Sequence, residues 1–518
     1  MPLPPDGASW PPAQWTPSYA TMRLNDAWYS GDKSRLAAAA GIHQPQQTRR
    51  RWSLWRRKDH AAPAPVGLHI PLPADIARTS ATMLFADMPT ITVDNGPTND
   101  RLAELIVEAR IKQTLLAAGE QCAAMNGIYL RVTWDKEVLP DRPILSVMQP
   151  DRADPEFRHG ILTAVTFWRD LTVDGASTVW RHLERYEPGR IVHSLYKGTG
   201  TNLGKRQPSL GSHPQTADLA KSLGPDGESI ATGYPGLAAA YIPNMLPNRL
   251  DRASPVGRSD FDQCYDFFNP LDATWTSWMR DLKLARSRII VPKGYLRDRG
   301  PGLGAEFDDD AEVYEALNIP PTEAGAGITL NQFEIRVAQH MSTAEFNVRQ
   351  AVQTAGYDAQ AFGMDGGGQP ITATEVNART SRSMGTRDAK IGYWTPELAS
   401  ILEAFLAIDR AQFNRPNVVE RPTVEFPEGV SETALQIATT IEMLSRAGAI
   451  STETKVRLAH PDWDEQDVKA EVAKILAELG MAVADPTRVG ADNVPPPAGD
   501  EPEPEDDEAE QVPEFAGG

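Results

Sequence analysis

GQPITATEVNARTSRSMGTRDAKIGYWTPELASIL, residues 368–402, carries the clearest local signal in the sequence. Thr372 and Glu375 stand in T-x-x-E spacing, so the hydroxyl can accept from the amide three residues on while the glutamate reaches back, and Ile371 and Val376 can close a hydrophobic staple across them. The spacing predicts a helix from 373 to about 413. Just before it, AGYDAQAFGMDGGGQPIT lacks periodicity and holds Gly366, Gly367 and Gly368 in succession, a segment with many accessible backbone states. A compliant stretch is thus expected to lead into a rigid one. On the helix, Arg379, Arg382, Arg387 and Lys390 fall within an arc of about 140° at about 100° per residue. Such a stripe can meet a phosphate backbone or a neighbouring subunit; alternatively Glu375, one turn before Arg379, offers it a local ion pair.

Upstream, a helix is expected at about Gln332 to Ala355, preceded by a turn-rich insertion of about 45 residues. Before the insertion, Phe261, Cys264, Tyr265, Phe268, Leu271, Trp275, Trp278 and Leu282 recur at helical spacing. Asn269 and Pro270 suit the cap and first position of the second of two helices ending at Arg288. From Gly127 to about Tyr196 the period is two, which predicts an antiparallel meander. Residues 198–236, rich in Gly, Ser and Pro, read as a long surface loop. Nearer the N-terminus the patterns predict an extended arm over 1–18, a helix over Tyr19–Tyr29, a strand over Leu68–Pro71, and a helix over Asp75–Phe85. A strand at TITVD and one helix from about Asp100 to Met125 follow. Downstream, VVERPTVEF reads as a strand and 431–480 as a small helical region.

The 518 residues are 41% hydrophobic, which suits a globular protein of several domains. No apolar run approaches the roughly 18–20 residues of a membrane span, and the N-terminus lacks a signal-peptide pattern, so a soluble, unexported chain is expected. Two distant cysteines, Cys122 and Cys264, build neither a disulfide framework nor a four-cysteine zinc site, which suits a reducing compartment. Of the net charge of −19, more than half lies beyond Met481, where eleven acidic residues face one arginine among prolines. That tail is expected to be disordered and chiefly solubilising.

The search for chemistry is nearly empty. GTGTNLGKR, residues 198–206, misses phosphate-loop spacing, and Arg206 occupies the position of the magnesium-binding hydroxyl. No H-E-x-x-H, G-x-S-x-G or calcium-loop pattern occurs, and the nine histidines show no i,i+3 or i,i+4 pair. Asp308, Asp309 and Asp310 read as a solvated acidic turn, and Cys122 as a small core residue. RRRWSLWRRK, residues 49–58, could hold nucleic acid by charge and stacking, or be a hairpin face with solvated arginines.

In order and spacing, four stretches resemble the portal, or head-to-tail connector, proteins of tailed bacteriophages, particularly of actinobacterial phages. They are YATMRLNDAWYSGD, LHIPLPADIARTSATMLFADMPTITV, SPVGRSDFDQCYDFFNPLDATWTSWMRDLKLARSRIIVP, and GQPITATEVNARTSRSMGTRDAKIGYWTPELASIL. The resemblance spans about 19–480 and implies an α+β fold. After the arm it implies a wing over 19–257, stem helices over 258–288 and 332–355, and a clip inserted at 289–331. A tunnel loop over 356–371, a long helix with a wing return strand over 372–430, a crown over 431–480 and the tail over 481–518 complete the series.

What the resemblance implies is a non-catalytic ring of twelve subunits without cofactor at a unique capsid vertex of the virion, assembled in the host cytoplasm. Double-stranded DNA passes through it without sequence specificity. Its implied partners are terminase, a head-tail adaptor, the major capsid protein and a scaffold. The channel candidates are then Phe362, Met364, Gly366, Gly367 and Gly368, with Arg379, Arg382, Arg387 and Lys390 behind them. Tyr295, Asp308, Asp309, Asp310 and Tyr314 are clip candidates, and Phe261, Tyr265, Phe268, Trp275 and Trp278 subunit-interface candidates. A packaging ATPase or nuclease and another structural head protein are the alternatives.

Overall fold

Apolar spacing forms the helices at the N-terminal end, and the strand residues Trp168 and Tyr196 hold the arm before them. The computed structural model describes residues 3–43, 68–174, 178–284, 288–290, 297–298, 305–306, 329–331, 335–364, 373–427, 434–460, 463 and 465–478. These divide into two units, Met1–Gly429 and Val430–Gly518. Ahead of helices α1 (Thr16–Ser30) and α2 (Lys33–His43), the proline-rich arm is packed rather than free. Tyr196 donates to the Pro4 carbonyl at 2.7 Å, and Trp10, 3% exposed, meets Trp168 edge-on at 4.9 Å. The strand expected at 68–71 does not form. Instead the Leu68 and Ile70 amides donate to Thr276 Oγ1 and Asp272 Oδ1, both at 2.9 Å, so side chains of a later helix satisfy this backbone.

Helix α3 (Leu72–Phe85) and strand β1 (Thr90–Thr92) follow. The single helix expected from 100 to 125 is two, α4 (Gly96–Glu108) and α5 (Ile111–Met125), broken at Arg110 with φ 51°. On one unbroken helix at about 100° per residue, the mean direction of Leu102 and Leu105 would lie about 130° from that of Ile111, Leu115 and Cys122. The bend lets both sets enter one core, where all five are buried.

The meander region supplies two sheets instead of one. Strands β2 (Gly127–Thr133) and β3 (Ile144–Met148) begin the first; β4 (Ala153–Arg158), β5 (Ile161–Asp174), β6 (Thr178–Glu187) and β7 (Arg190–Gly198) form the second. β8 (Lys205–Arg206) and β9 (Ser229–Ala231) both pair with β7, while β10 (Ala239–Pro243) pairs with β2. Every strand pair among the described residues is antiparallel. The expected 198–236 surface loop is therefore a partly packed extension of the sheet. Its Leu210 joins Leu171, Trp180 and Leu195 in a small apolar cluster of its own.

Helix α6 (Tyr265–Leu284) runs straight through Pro270, where a second helix was expected to start. Pro270 loses one helical hydrogen bond, but Phe268 and Leu271, each 1% exposed, hold both sides of it in the core. Strands β11 (Arg288–Ile290), β12 (Arg297–Asp298), β13 (Ala305–Glu306) and β14 (Thr329–Asn331) pair as β11 with β14 and β12 with β13. Next come α7 (Val337–Ala355), the 41-residue α8 (Ala373–Phe413), and β15 (Thr423–Glu425), which pairs with β1. Trp394, Leu398, Ile401, Leu402, Phe405 and Ile408 of α8 repeat at helical spacing and are all within the main core.

The second unit holds α9 (Ala434–Arg446), α10 (Thr452–Ala459) and α11 (Glu465–Glu478). Ser451 caps α10 by accepting from the Thr454 amide at 3.2 Å, and Val456 of α10 and Val468 of α11 are buried.

Candidate functional site

The root of α8 is the most heavily bonded place near the glycine-rich segment. α7 ends at Gly356, whose φ of 97° suits glycine; a Cβ there would stand 2.8 Å from Thr386 Oγ1. Thr386 uses that hydroxyl to donate to the Gly356 carbonyl at 2.6 Å. Two residues further, Asp358 and Ser383 bond reciprocally: the Asp358 amide donates to Ser383 Oγ at 2.8 Å and the Ser383 amide to Asp358 Oδ2 at 2.9 Å. Beneath this clamp lies a buried polar hub. Lys390 Nζ donates to Ser80 Oγ at 2.6 Å, Asp260 Oδ2 at 2.7 Å and Tyr357 OH at 3.0 Å, which uses all three ammonium protons. Tyr357 donates to Asp260 Oδ2 at 2.8 Å, and Asn244 Nδ2 to Asp260 Oδ1 at 2.8 Å. Burial first, and then the Asp260 charge, hold the Tyr357 hydroxyl well above its ordinary range, so it stays a donor.

This geometry redistributes the channel candidates. Lys390 is 1% exposed, and Arg387, 6% exposed, donates to the carbonyls of Met83 at 2.8 Å and Pro427 at 2.5 Å. Both are therefore internal ties and not phosphate-facing groups. The reason is phase: Ser383, Arg387 and Lys390 continue the stripe of Trp394, Leu398 and Ile401 along the core side of α8. Arg382 is exposed and donates to the Gln353 carbonyl at 3.2 Å. Phe362 is half-buried, its ring 6.4 Å from that of Tyr357, and Met364 is half-buried too. Gly366, Gly367, Gly368, Thr372 and the side chains of Glu375 and Arg379 lie outside the described residues.

Of the interface candidates, Phe261 and Phe268 are 0% and 1% exposed in the chain's own core, so they offer no surface to a neighbour. Their helical spacing matched an exposed face equally well; only the fold decides which side is covered. Tyr265, Trp275 and Trp278 are half-buried, with Trp275 and Trp278 edge-on at 5.5 Å. The clip candidates Tyr295, Asp308, Asp309, Asp310 and Tyr314, the basic run at 49–58 and the acidic tail also lie outside the described residues.

Sequence reading passed over one cluster, formed by His182, Glu184 and His193 on β6 and β7. Helical spacing does not reveal it, because on a hairpin the telling pattern is i,i+2 on one strand plus the residue opposite on the next. Burial drives the His182 imidazole down to about 3 and His193 below its usual value. Although burial opposes its charge, Arg131 foremost among the nearby cations keeps the Glu184 carboxyl below the usual range.

The sequence model of the family described as "Phage portal protein, SPP1 Gp6-like" matches residues 12–485. No curated protein matches the sequence. Among solved structures, a chain from the neck of a native GTA particle computed with C12 symmetry aligns at 12% identity and a TM-score of 0.38, over 75% of this chain and 89% of that one. A chain from the neck of an empty GTA particle computed with C6 symmetry aligns at 14% identity and a TM-score of 0.41, over 75% and 90%.

Proposed function

We propose that this chain, which belongs to the SPP1 Gp6-like family of phage portal proteins, assembles as a homo-oligomeric ring of twelve at one capsid vertex, around a channel for double-stranded DNA. The match over residues 12–485 carries this reading. Exposed apolar side chains support the ring: Leu282 of α6 is 42% exposed, and Met341 and Phe346 of α7 are 51% and 60%. A closed ring covers such groups by repeating one contact around the circle. No helix among the described residues is long and apolar enough to cross a membrane.

In this reading the protein is a conduit and docking platform, and hydrolysis belongs to the terminase that docks on residues 289–331, as does the head-tail adaptor. The acidic balance of −19 suits a channel, because a strongly basic lining would hold phosphates and slow sliding. Phe362, Met364 and Gly366–Gly368 reach the DNA, with Arg379 and Arg382 behind them, while the clamp at Asp358 and Ser383 supplies the fixed base. Negative-stain images of the purified protein are expected to show rings with a central hole. A monomer at all concentrations and salts, or protein that cleaves DNA or hydrolyses ATP on its own, would overturn the reading.

Replacing Gly366, Gly367 and Gly368 together by alanine removes the φ > 0 states that only glycine visits freely. Rings are expected to assemble normally while DNA packaging in a reconstituted reaction slows or stalls. Packaging at the normal rate would make the segment a passive linker, and failure to form rings would make it an assembly contact.

A further inference from the structure

The hairpin β6–β7 turns through two residues, with Gly189 at φ 84°, and this tight turn sets Glu184 opposite His193. His182, two residues before Glu184, projects from the same face. One nitrogen of each imidazole and one carboxylate oxygen lie within 4.8 Å of one another. His182 is 0% exposed and His193 6%. His182 Nε2 stands 3.3 Å from His193 Nδ1, and Glu184 Oε1 stands 3.5 Å from His182 Nδ1. That last nitrogen is buried without a hydrogen-bond partner, an arrangement that costs free energy unless something else occupies its lone pair or takes its proton.

The carboxylate is oriented from outside. Arg131 donates to Glu184 Oε2, and its guanidinium is itself placed by a 3.1 Å bond from Nε to Ser146 Oγ and by the ring of Phe167 at 5.8 Å. One oxygen is thereby engaged, and Oε1 is turned towards the histidines. Ligating carboxylates are commonly held this way by a second layer of partners. Two imidazoles with one carboxylate suit a borderline cation, whereas calcium and magnesium prefer oxygen alone. With His182 Nδ1 as its ligand atom, the 3.5 Å to Glu184 Oε1 is close to the span of two zinc ligands with metal–ligand bonds of about 2.0–2.2 Å at a tetrahedral angle.

We propose that His182, His193 and Glu184 form a binding site for one first-row divalent transition-metal ion, zinc foremost, that staples β6 to β7. Its burial makes it a structural site. Arg131, on the neighbouring sheet, and the exposed Arg169, opposite His182 on β5, bring positive charge towards the cluster. Affinity therefore falls short of that of an all-thiolate site, and the ion is one that chelators remove.

The test uses the full chain, stripped with a chelator and dialysed against zinc. One zinc per chain is expected, with a thermal midpoint that rises on adding metal. His193→Gln and Glu184→Gln are each expected to weaken binding at least about tenfold and to abolish the rise. Equal binding by wild type and both variants would assign the zinc to surface histidines and overturn the site, as would no binding by the wild type. Should the variants fail to fold, X-ray absorption on zinc-loaded wild type decides: two imidazole ligands support the site, and a shell of oxygen alone overturns it.

Discussion

Replacing Asp260 by alanine is expected to lower the stability of the larger unit by about 3–5 kcal/mol, the range for removing one partner of a buried ion pair. The Asp260 and Lys390 side chains are each 2% exposed and 2.7 Å apart, so neither can turn to water when the other is removed. An alanine at 260 would leave the Lys390 ammonium with Ser80 and Tyr357, two neutral oxygens, and would leave Tyr357 and Asn244 without the acceptor they share. Lys390→Met should also destabilise, because the aspartate is then the uncompensated charge. A double change of Asp260→Leu with Lys390→Met should cost less than the two single effects added, since it removes both charges together. Urea unfolding followed by tryptophan fluorescence reads all three. A loss of less than about 1 kcal/mol for Asp260→Ala would place it among ordinary surface changes and show that the hub does not anchor α8.

Deleting residues 294–327 is expected to leave rings intact and to abolish DNA packaging. The ends of this insertion are already held together without it. Arg288–Ile290 pairs antiparallel with Thr329–Asn331, and at the helix ends Asp281 Oδ2 accepts from Arg336 Nε at 3.0 Å and lies 2.9 Å from His340 Nε2. The deleted chain would therefore close over a short link between paired strands, and loop-closure entropy changes only slowly with length. The surface proposed for terminase and the adaptor would be gone. Images of the variant should show rings, and a packaging assay should show no protected DNA. Packaging by the shortened ring would move the docking surface elsewhere on the chain.

Much of the scaffold is legible in local pattern. The period of two between Gly127 and Tyr196 yields strands, and the run from Ala373 to Phe413 is one helix with its apolar repeat in the core. Three local readings fail because a distant partner outweighs propensity. Residues 68–71 are extended in pattern, but Thr276 and Asp272 of α6 take their amides. Pro270 looks like a helix start, yet Phe268 and Leu271 are anchored in one core and keep the helix continuous. The break at Arg110 follows from two apolar stripes out of phase, a relation visible only once both are known to enter the same core.

By itself the sequence determined where most helices and strands lie, because side-chain periodicity and turn residues act within a few positions along the chain. It also determined the uneven charge and the absence of familiar catalytic spacings. Only the tertiary structure decided what the cations of α8 do. The same arc that could face phosphate turns Arg387 and Lys390 inward to carbonyls and to Asp260, since a helix pattern gives the angle between residues and not which side is covered. Tertiary structure likewise decided that His182, Glu184 and His193 meet, because strand register, set by a two-residue turn, creates neighbours that the linear spacing of residues does not express.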